Sequence, residues 1–494
     1  MTSFNSSSPG DKKSPSDKMS SGNKISLGGR IKGLEAIDKA HVWHPFTQMK
    51  DWAEGDPLII TEARDCFIKD IRGRWYLDGV SSLWVNTLGH RRKEINAAIT
   101  AQLAKAAHTT LLGLANEASI ELAGRLAALM EKSFAPFSAP PDKKNIKSEK
   151  LTRIFYSDNG STAVEVGLKM AFQYWRHKGE RDRSLFVSLE NGYHGDTIGA
   201  VSVGGVEMFH DVFRPLLFDT LKAPSPYCYR CGLGLEYPAC GLACTGPLED
   251  FFKTRGQEIA AFVLEPMVQA AGGMIIFPDG YLKKVKELCE KYGVLLIADE
   301  VATGFGRTGR MFACEHEGVV PDILCLSKGI TGGYMPLAVT ITNDEVYGAF
   351  LGGYDELKTF FHGHSYTGNP LACSAALAVL EIFENEKVID GLSPQITLLQ
   401  KRLKEIGAHA RVGQAKSLGL MGRIELVADK PHGTPYPWEE KMGWKVALRA
   451  LEKGLFIRPL GNVMVLMPPL TITLENLDRM MDIVHGSIRG AFDG

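Results

Sequence analysis

The sequence has almost no excess of charge, with 56 Lys and Arg against 57 Asp and Glu and a formal net charge of -1 over 494 residues. A chain without clustered basic residues makes no field to hold nucleic acid or an anionic membrane, so neither is an expected partner. Long apolar runs are missing too: none approaches the ~20 residues that a bilayer span needs. The first thirty residues lack the apolar core of a secretory signal, and Asp11, Asp17 and the absence of Arg before Arg30 argue against organelle targeting. That stretch is too polar to offset the entropy of ordering and reads as a loose tail over residues 1–30, in a cytoplasmic protein. Cysteine is sparse, nine in all, which excludes a disulfide scaffold in a chain of this length. Four of the nine, Cys228, Cys231, Cys240 and Cys244, follow a C-x2-C-x8-C-x3-C spacing. Such a spacing suits a closed structural zinc site with no open position for catalysis, or equally a surface insertion with free thiols, and no metal ligand is assigned. There is no internal repeat.

What is present is enough apolar material, 45% of residues, for a large core and two or three domains. From about 150 to 345, short apolar runs alternate with helical patterns, the signature of an α/β fold with a mainly parallel sheet. The expected strands are Arg153–Tyr156, Leu185–Leu189, Ala261–Glu265, Val294–Ala298, Ile323–Ser327 and Ala338–Thr342. The expected helices are Thr162–His177, Tyr281–Tyr292 and Pro370–Glu384. Beyond 390 the pattern changes to a helix, strands near Gly419–Val427 and Val463–Met467, and a closing helix from Leu474. This predicts a large domain over 91–388 and a smaller α+β domain from 31–90 and 389–494. The Pro- and Lys-rich segment Ala135–Glu149 reads as an exposed loop.

Ligands of open α/β sheets sit beyond the carboxyl ends of the strands. After the first strand, Ser157-Asp158-Asn159-Gly160-Ser161-Thr162 runs into a helix, a start that offers N–H groups and a hydroxyl to a phosphate, or merely an ordinary cap. After the second, Tyr193 lies between glycines and can stack on a planar ring or simply pack in its loop. The strand Leu295–Ala298 delivers Asp299 and Glu300, where a buried carboxylate needs a cation or donor. The strand Ile323–Ser327 delivers Lys328, whose amine in a desolvated pocket becomes an imine-forming nucleophile. Each feature alone has a bland alternative. Together, along one sheet edge, they are the contacts that pyridoxal 5'-phosphate requires.

The stretches Asp299-Glu300-Val301-Ala302-Thr303-Gly304-Phe305-Gly306-Arg307-Thr308-Gly309, Leu326-Ser327-Lys328-Gly329 and His362-Gly363-His364-Ser365-Tyr366-Thr367-Gly368-Asn369-Pro370 resemble those of class III aminotransferases of the fold type I group. With the opening segment His41-Val42-Trp43-His44-Pro45-Phe46-Thr47-Gln48-Met49, the chain is most similar to the branch of that family that works in biotin biosynthesis. The resemblance runs from about 38 to 490. It implies Lys328 as the Schiff-base lysine, Asp299 at the ring nitrogen, Tyr193 against the ring, and Gly160 and Ser161 at the phosphate. It implies that His364 and Ser365 reach the phosphate of a neighbouring subunit, hence a homodimer with shared sites. Arg458 matches a residue that receives a substrate carboxylate, and Gly363 a substrate contact. The implied activity is conversion of 8-amino-7-oxononanoate to 7,8-diaminononanoate, with S-adenosylmethionine or L-lysine as donor.

Three departures from the common pattern fall near the substrate. Phe46 replaces a Tyr, Leu83-Trp84 replaces a tandem Trp, and His364-Ser365-Tyr366 replaces Pro-Thr-Phe. A smaller branch that uses lysine as donor resembles the Phe form seen here. Two other readings stand beside this one: a class III ω-aminotransferase for diamines or ω-amino acids, and a non-catalytic, metal-stabilised interaction protein on the same fold.

Overall fold

The computed structural model describes residues 27–137 and 150–492. The chain divides into two compact units, Met1–Thr61 with Lys69–Arg74, and Glu62–Ile68 with Trp75–Gly494. In the first, neither helix α1 (Leu27–His41) nor the short helix α2 (Met49–Glu54) buries any of its residues. Its Asp38 accepts hydrogen bonds from His44 Nε2 at 2.9 Å and from Trp52 Nε1 at 2.7 Å. Of the expected tail, residues 1–26 lie outside the described residues, and Leu27–Arg30 are instead the first turn of α1.

The second unit is built on a seven-stranded sheet of β1 (Leu151–Ser157), β2 (Leu185–Leu189), β3 (Thr220–Ala223), β4 (Ile259–Leu264), β5 (Leu295–Asp299), β6 (Ile323–Leu326) and β7 (Ala338–Asn343). Their order across the sheet is β1-β7-β6-β5-β4-β2-β3, and only β7 runs antiparallel to its neighbours. The apolar runs expected as strands, apart from that in the edge strand β1, lie inside the sheet; both faces are covered there, so the central strands β4, β5 and β6 are buried along their whole length. Leu295 and Ile297 of β5 join a core with helix α4 (Gly160–His177), which also contains Ile323 and Cys325 of β6. Leu296, Ala298, Leu324 and Leu326 point the other way, into the core that holds helices α3 (Glu117–Phe134), α5 (Tyr281–Tyr292) and α6 (Pro370–Asn385). Burying each such Leu or Ile contributes about 2 kcal/mol. β3 escaped the sequence reading: it is a four-residue edge strand with one buried residue and no apolar run.

From 389 onward the chain forms a second sheet within the same unit. β8 (Val412–Leu418), β9 (Met421–Asp429), β10 (Pro459–Leu460) and β11 (Val463–Leu466) lie in the order β8-β9-β11-β10, accompanied by helices α7 (Ser393–Gly407), α8 (Met442–Glu452) and α9 (Leu474–Phe492). Gly419, expected inside a strand, sits in the β8–β9 turn with a left-handed φ of 57°. Leu455–Phe456 pairs in parallel with Trp75–Asp78, which brings the turn after Asp78 next to the segment that carries Arg458. The loop expected over Ala135–Glu149 begins with a short 3-10 turn, Ala135–Phe137, and its remainder lies outside the described residues.

Candidate active site

The parallel strands β1, β2, β4, β5 and β6 all end on one edge of the sheet, and register decides who meets whom there. Ala298 of β5 pairs with Leu264 of β4, so Asp299 and Glu265 stand side by side. Asp299 itself pairs with Cys325 of β6, and Lys328 follows three residues later. Lys328 opens a 3-10 turn with a left-handed φ of 45°. Its Nζ lies 4.9 Å from the centre of the Trp84 ring.

Asp299, 4% exposed, accepts a hydrogen bond from His194 Nδ1 at 2.8 Å and from the Val301 N–H at 3.1 Å. Burial pushes the Lys328 ammonium below its ordinary pKa. Asp299 and Glu265 oppose that shift, and the Arg307 guanidinium adds to it. An amine moved toward neutrality keeps its lone pair available for a carbonyl carbon. Glu300, the other carboxylate after β5, turns into the core instead. It accepts hydrogen bonds from the N–H groups of Ala313 (2.7 Å) and Cys314 (2.9 Å), with its pKa pushed up by burial to about 7.

The helix start after β1 is a capping box: Asn159 Oδ1 accepts from the Thr162 N–H, and Thr162 Oγ1 accepts from the Asn159 N–H, both at 3.1 Å. Gly160 and Ser161 occupy the first turn of α4, whose N–H groups have no intrahelical acceptor. Two close approaches shape this corner. A Cβ on Gly160 would lie 2.5 Å from Val301 Cγ1, and one on Gly195 would lie 2.0 Å from Ser161 Oγ. The Asp196 N–H donates to Ser161 Oγ at 3.1 Å, which ties the Tyr193 loop to the same helix start. Tyr193 Oη donates to Asp196 Oδ2 at 2.8 Å, and the Tyr193 ring lies nearly parallel to His210, 6.3 Å away with 13° between planes.

Four consecutive residues, Ser81 to Trp84, take left-handed φ values of 50°, 49°, 67° and 71°. This turn leaves Leu83 half-exposed and buries Trp84. Arg307, 1% exposed, holds it from behind, donating to the carbonyls of Trp84 and Asn86 at 3.3 Å each and of Pro468 at 2.7 Å. Arg458 is half-buried, and burial lowers its pKa.

The remaining sequence-predicted residues lie apart from this cluster or beside it. His364 Nδ1 is 3.5 Å from Asp158 Oδ2 of the same chain, next to the α4 start, and the Ser365 carbonyl accepts from His108 Nε2 at 2.7 Å. Gly363 is exposed in the same loop. Phe46 belongs to the first unit, where it is exposed with a left-handed φ of 49°. All nine cysteines are free thiols, Cys228 exposed and Cys231, Cys240 and Cys244 half-buried. Among the described residues no group of three or more His, Cys, Asp or Glu is arranged to hold a metal ion.

His194, Glu265, Asp196 and Arg307 were not picked out from sequence. His194 and Asp196 flank a residue that was, and Glu265 ends an expected strand. Arg307 lies within the Asp299–Gly309 stretch that carries the family resemblance, but arginine is ordinarily a surface residue and its buried role has no sign in the pattern.

The class-III aminotransferase profile matches residues 49–488. The adenosylmethionine-8-amino-7-oxononanoate aminotransferase of Geobacter sulfurreducens is 52% identical over 458 residues, covering 92% of this chain and 97% of that protein. The enzyme of the same name from Methanocaldococcus jannaschii has a crystal structure that superposes with a TM-score of 0.86 at 44% identity, covering 93% of this chain and 99% of that one. An amine transaminase from an uncultivated Pseudomonas species, solved in the PLP-bound form, superposes with a TM-score of 0.83 at 36% identity, covering 92% and 98%. With a profile match over nearly the whole chain and relatives at this identity, the chain belongs to the class-III aminotransferase family.

Proposed function

We propose that this chain transfers an amino group to 8-amino-7-oxononanoate, giving 7,8-diaminononanoate for biotin biosynthesis, with pyridoxal 5'-phosphate as cofactor. The carrying observation is the sheet edge itself: Lys328, Asp299, Tyr193 and the α4 start converge there in a chain 52% identical to an enzyme named for this substrate. The residues fit the cofactor. The glycines at 160 and 195 leave a corner that side chains would fill, and a helix N-terminus faces it, which suits a phosphate.

The cofactor, when bound, supplies the electron sink that lets a proton leave the donor carbon. The rest is the work of this chain. Lys328 would hold the cofactor through its Nζ, and the same Nζ, when free, would take up and return the proton. Asp299 would sit at the ring nitrogen and favour its protonated form, with His194 fixing the orientation of the Asp299 side chain. Tyr193 covers one ring face. Gly160 and Ser161 bind the phosphate through N–H groups and a hydroxyl. Arg458 receives the carboxylate of the long-chain substrate through its planar fork. The donor is adenosylmethionine or lysine, and on the sequence resemblance Phe46 and Leu83 decide between them, with Trp84 and Gly363 further substrate contacts.

The active form is a homodimer in the cytoplasm, in which His364 and Ser365 of each chain complete the phosphate site of the other. A mixture of Lys328→Ala and His364→Ala chains then recovers activity that neither has alone, since one hybrid site is intact. The function is tested by supplying 8-amino-7-oxononanoate with adenosylmethionine or with lysine. Lys328→Ala abolishes turnover and the visible absorbance of lysine-bound cofactor, and product from neither donor refutes the substrate reading. The ω-transaminase reading retains one supporting observation, structures such as that from Thermomicrobium roseum with a TM-score of 0.86 at 33% identity. Faster turnover of a diamine than of 8-amino-7-oxononanoate would favour it.

A further inference from the structure

Beside Asp299, at the end of β4, stands a second carboxyl group to which the reaction above gives no task. Glu265 is buried, and both hydrogen bonds it accepts come from backbone: Oε1 from the Tyr193 N–H at 3.0 Å and Oε2 from the Ala270 N–H at 2.9 Å. The first bond reaches Tyr193, the residue whose ring would cover the cofactor. The second reaches the turn that follows β4. One carboxyl group therefore bridges the end of β4 to the loop after β2, on the sheet edge that carries Asp299 and Lys328.

We propose that Glu265 is a positioning residue for the cofactor: its bridging carboxyl sets the height of Tyr193 over the ring and shares the Asp299 edge as that residue's uncharged partner. The inference rests on reading the site as a pyridoxal-phosphate site. Two buried carboxylates on adjacent strand ends cannot both carry charge cheaply. Asp299 has the His194 imidazole at 2.8 Å, whereas the two donors to Glu265 are neutral amides. The charge accordingly settles on Asp299 and the proton on Glu265. Burial, with the Asp299 charge second, raises the Glu265 carboxyl to about 8, while the two amides pull it down. The groups that bear on it are Asp299 on β5, His194 and Tyr193 after β2, Lys328 after β6, and Arg307 through Lys328.

With Glu265 neutral, a single carboxylate serves the ring nitrogen, and the pull that Glu265 exerts on the Lys328 proton comes into play only as Glu265 ionises. A second charge at that edge would hold the ammonium form of Lys328 and blunt its nucleophilicity. The same carboxyl group thus bears on ring placement and on the charge balance of the edge.

The test uses the full chain stripped of cofactor and reloaded with pyridoxal 5'-phosphate. Cofactor affinity and the circular dichroism of the bound ring, which reports its tilt, are followed from about pH 6.5 to pH 9.5, a window that brackets the Glu265 titration. The wild-type protein is expected to show a one-proton step near pH 8 in both signals. Glu265→Gln loses the step, because the amide does not titrate. It also binds cofactor about fivefold more weakly at neutral pH, the equivalent of one lost hydrogen bond, since an amide accepts through only one of its two arms. A merely structural role would lower stability and leave the step in place. Identical steps in the wild type and Glu265→Gln, or no step in the wild type, overturn the proposal while leaving the parent reading intact. Failure of the wild type to take up the cofactor overturns both. Should Glu265→Gln not fold, Glu265→Asp decides: it keeps a step but reaches less far, and dichroism equal to that of the wild type refutes the positioning role.

Discussion

Replacing Arg307 by Met should damage the site from behind, without touching a substrate. The turn Ser81 to Trp84 places four L-residues in succession in the left-handed region, at about 1–2 kcal/mol each and roughly 4–8 kcal/mol together. Several bonds hold it there. The Trp84 N–H donates to the Val80 carbonyl at 2.7 Å, Ser81 Oγ to the Met467 carbonyl at 2.7 Å, and Ser82 Oγ to Asp78 Oδ2 at 3.1 Å. Arg307 adds three bonds from a charged donor, one short and two at 3.3 Å. At about 1.5–3 kcal/mol per charge-assisted bond, and with the longer two at or below the low end, Arg307→Met costs roughly 3–5 kcal/mol and strands buried carbonyls. Arg307→Lys keeps the charge but reaches fewer of the three, and should lose roughly half as much. Urea unfolding at one fixed protein concentration measures the cost. Because Trp84 stands 4.9 Å from Lys328 Nζ, kcat/KM should fall in both variants together with the stability of the turn. Arg307→Met with stability within about 0.5 kcal/mol of the wild type and unchanged kcat/KM would show that the turn holds itself.

Other consequences can be checked separately. Gly195→Ala places a Cβ 2.0 Å from Ser161 Oγ at a φ of 120°, so cofactor affinity should fall at least about tenfold in an absorbance titration. Asp299→Asn keeps the shape but removes the charge beside the ring nitrogen, and single-turnover kinetics should slow by about a hundredfold or more while the cofactor still binds. Lys222, whose Nζ donates to Ser188 Oγ at 2.8 Å and to the Ser202 carbonyl at 2.9 Å, has its pKa pushed down by burial from 10.5 to about 7. Between these values the unfolded chain binds a proton that the folded chain does not, so this group makes stability rise with pH across that window and fall as pH drops toward 7. Lys222→Met should remove up to about 1.4 kcal/mol per pH unit of that slope, visible in urea midpoints measured across the window.

Much of the sheet was legible because its central strands are covered on both faces and so read as unbroken apolar runs. Leu185–Leu189 matches residue for residue, and Leu295–Asp299 is displaced by a single position from its expected bounds. Thr220–Ala223 was not legible, since an edge strand needs only one paired side and little apolar content. Gly419 was misplaced inside a strand because a tight turn between two apolar runs leaves no break in composition.

By itself the sequence determined the fold class and the order in which candidate chemical groups follow the strands. Asp299 ends one apolar run and Lys328 closely follows another, both read as buried strands, and the carboxyl ends of parallel strands share one edge. What it could not determine were relations set by register and burial. That Glu265 stands beside Asp299 follows from the pairing of Ala298 with Leu264, which two distant segments settle only once the sheet is assembled. Arg307 is buried behind a left-handed turn more than two hundred residues earlier in the chain, a placement with no local signal. Local sequence fixes what a side chain can do, and tertiary packing fixes which charge or dipole it faces; the protonation of Glu265 and Lys328 is decided by the second.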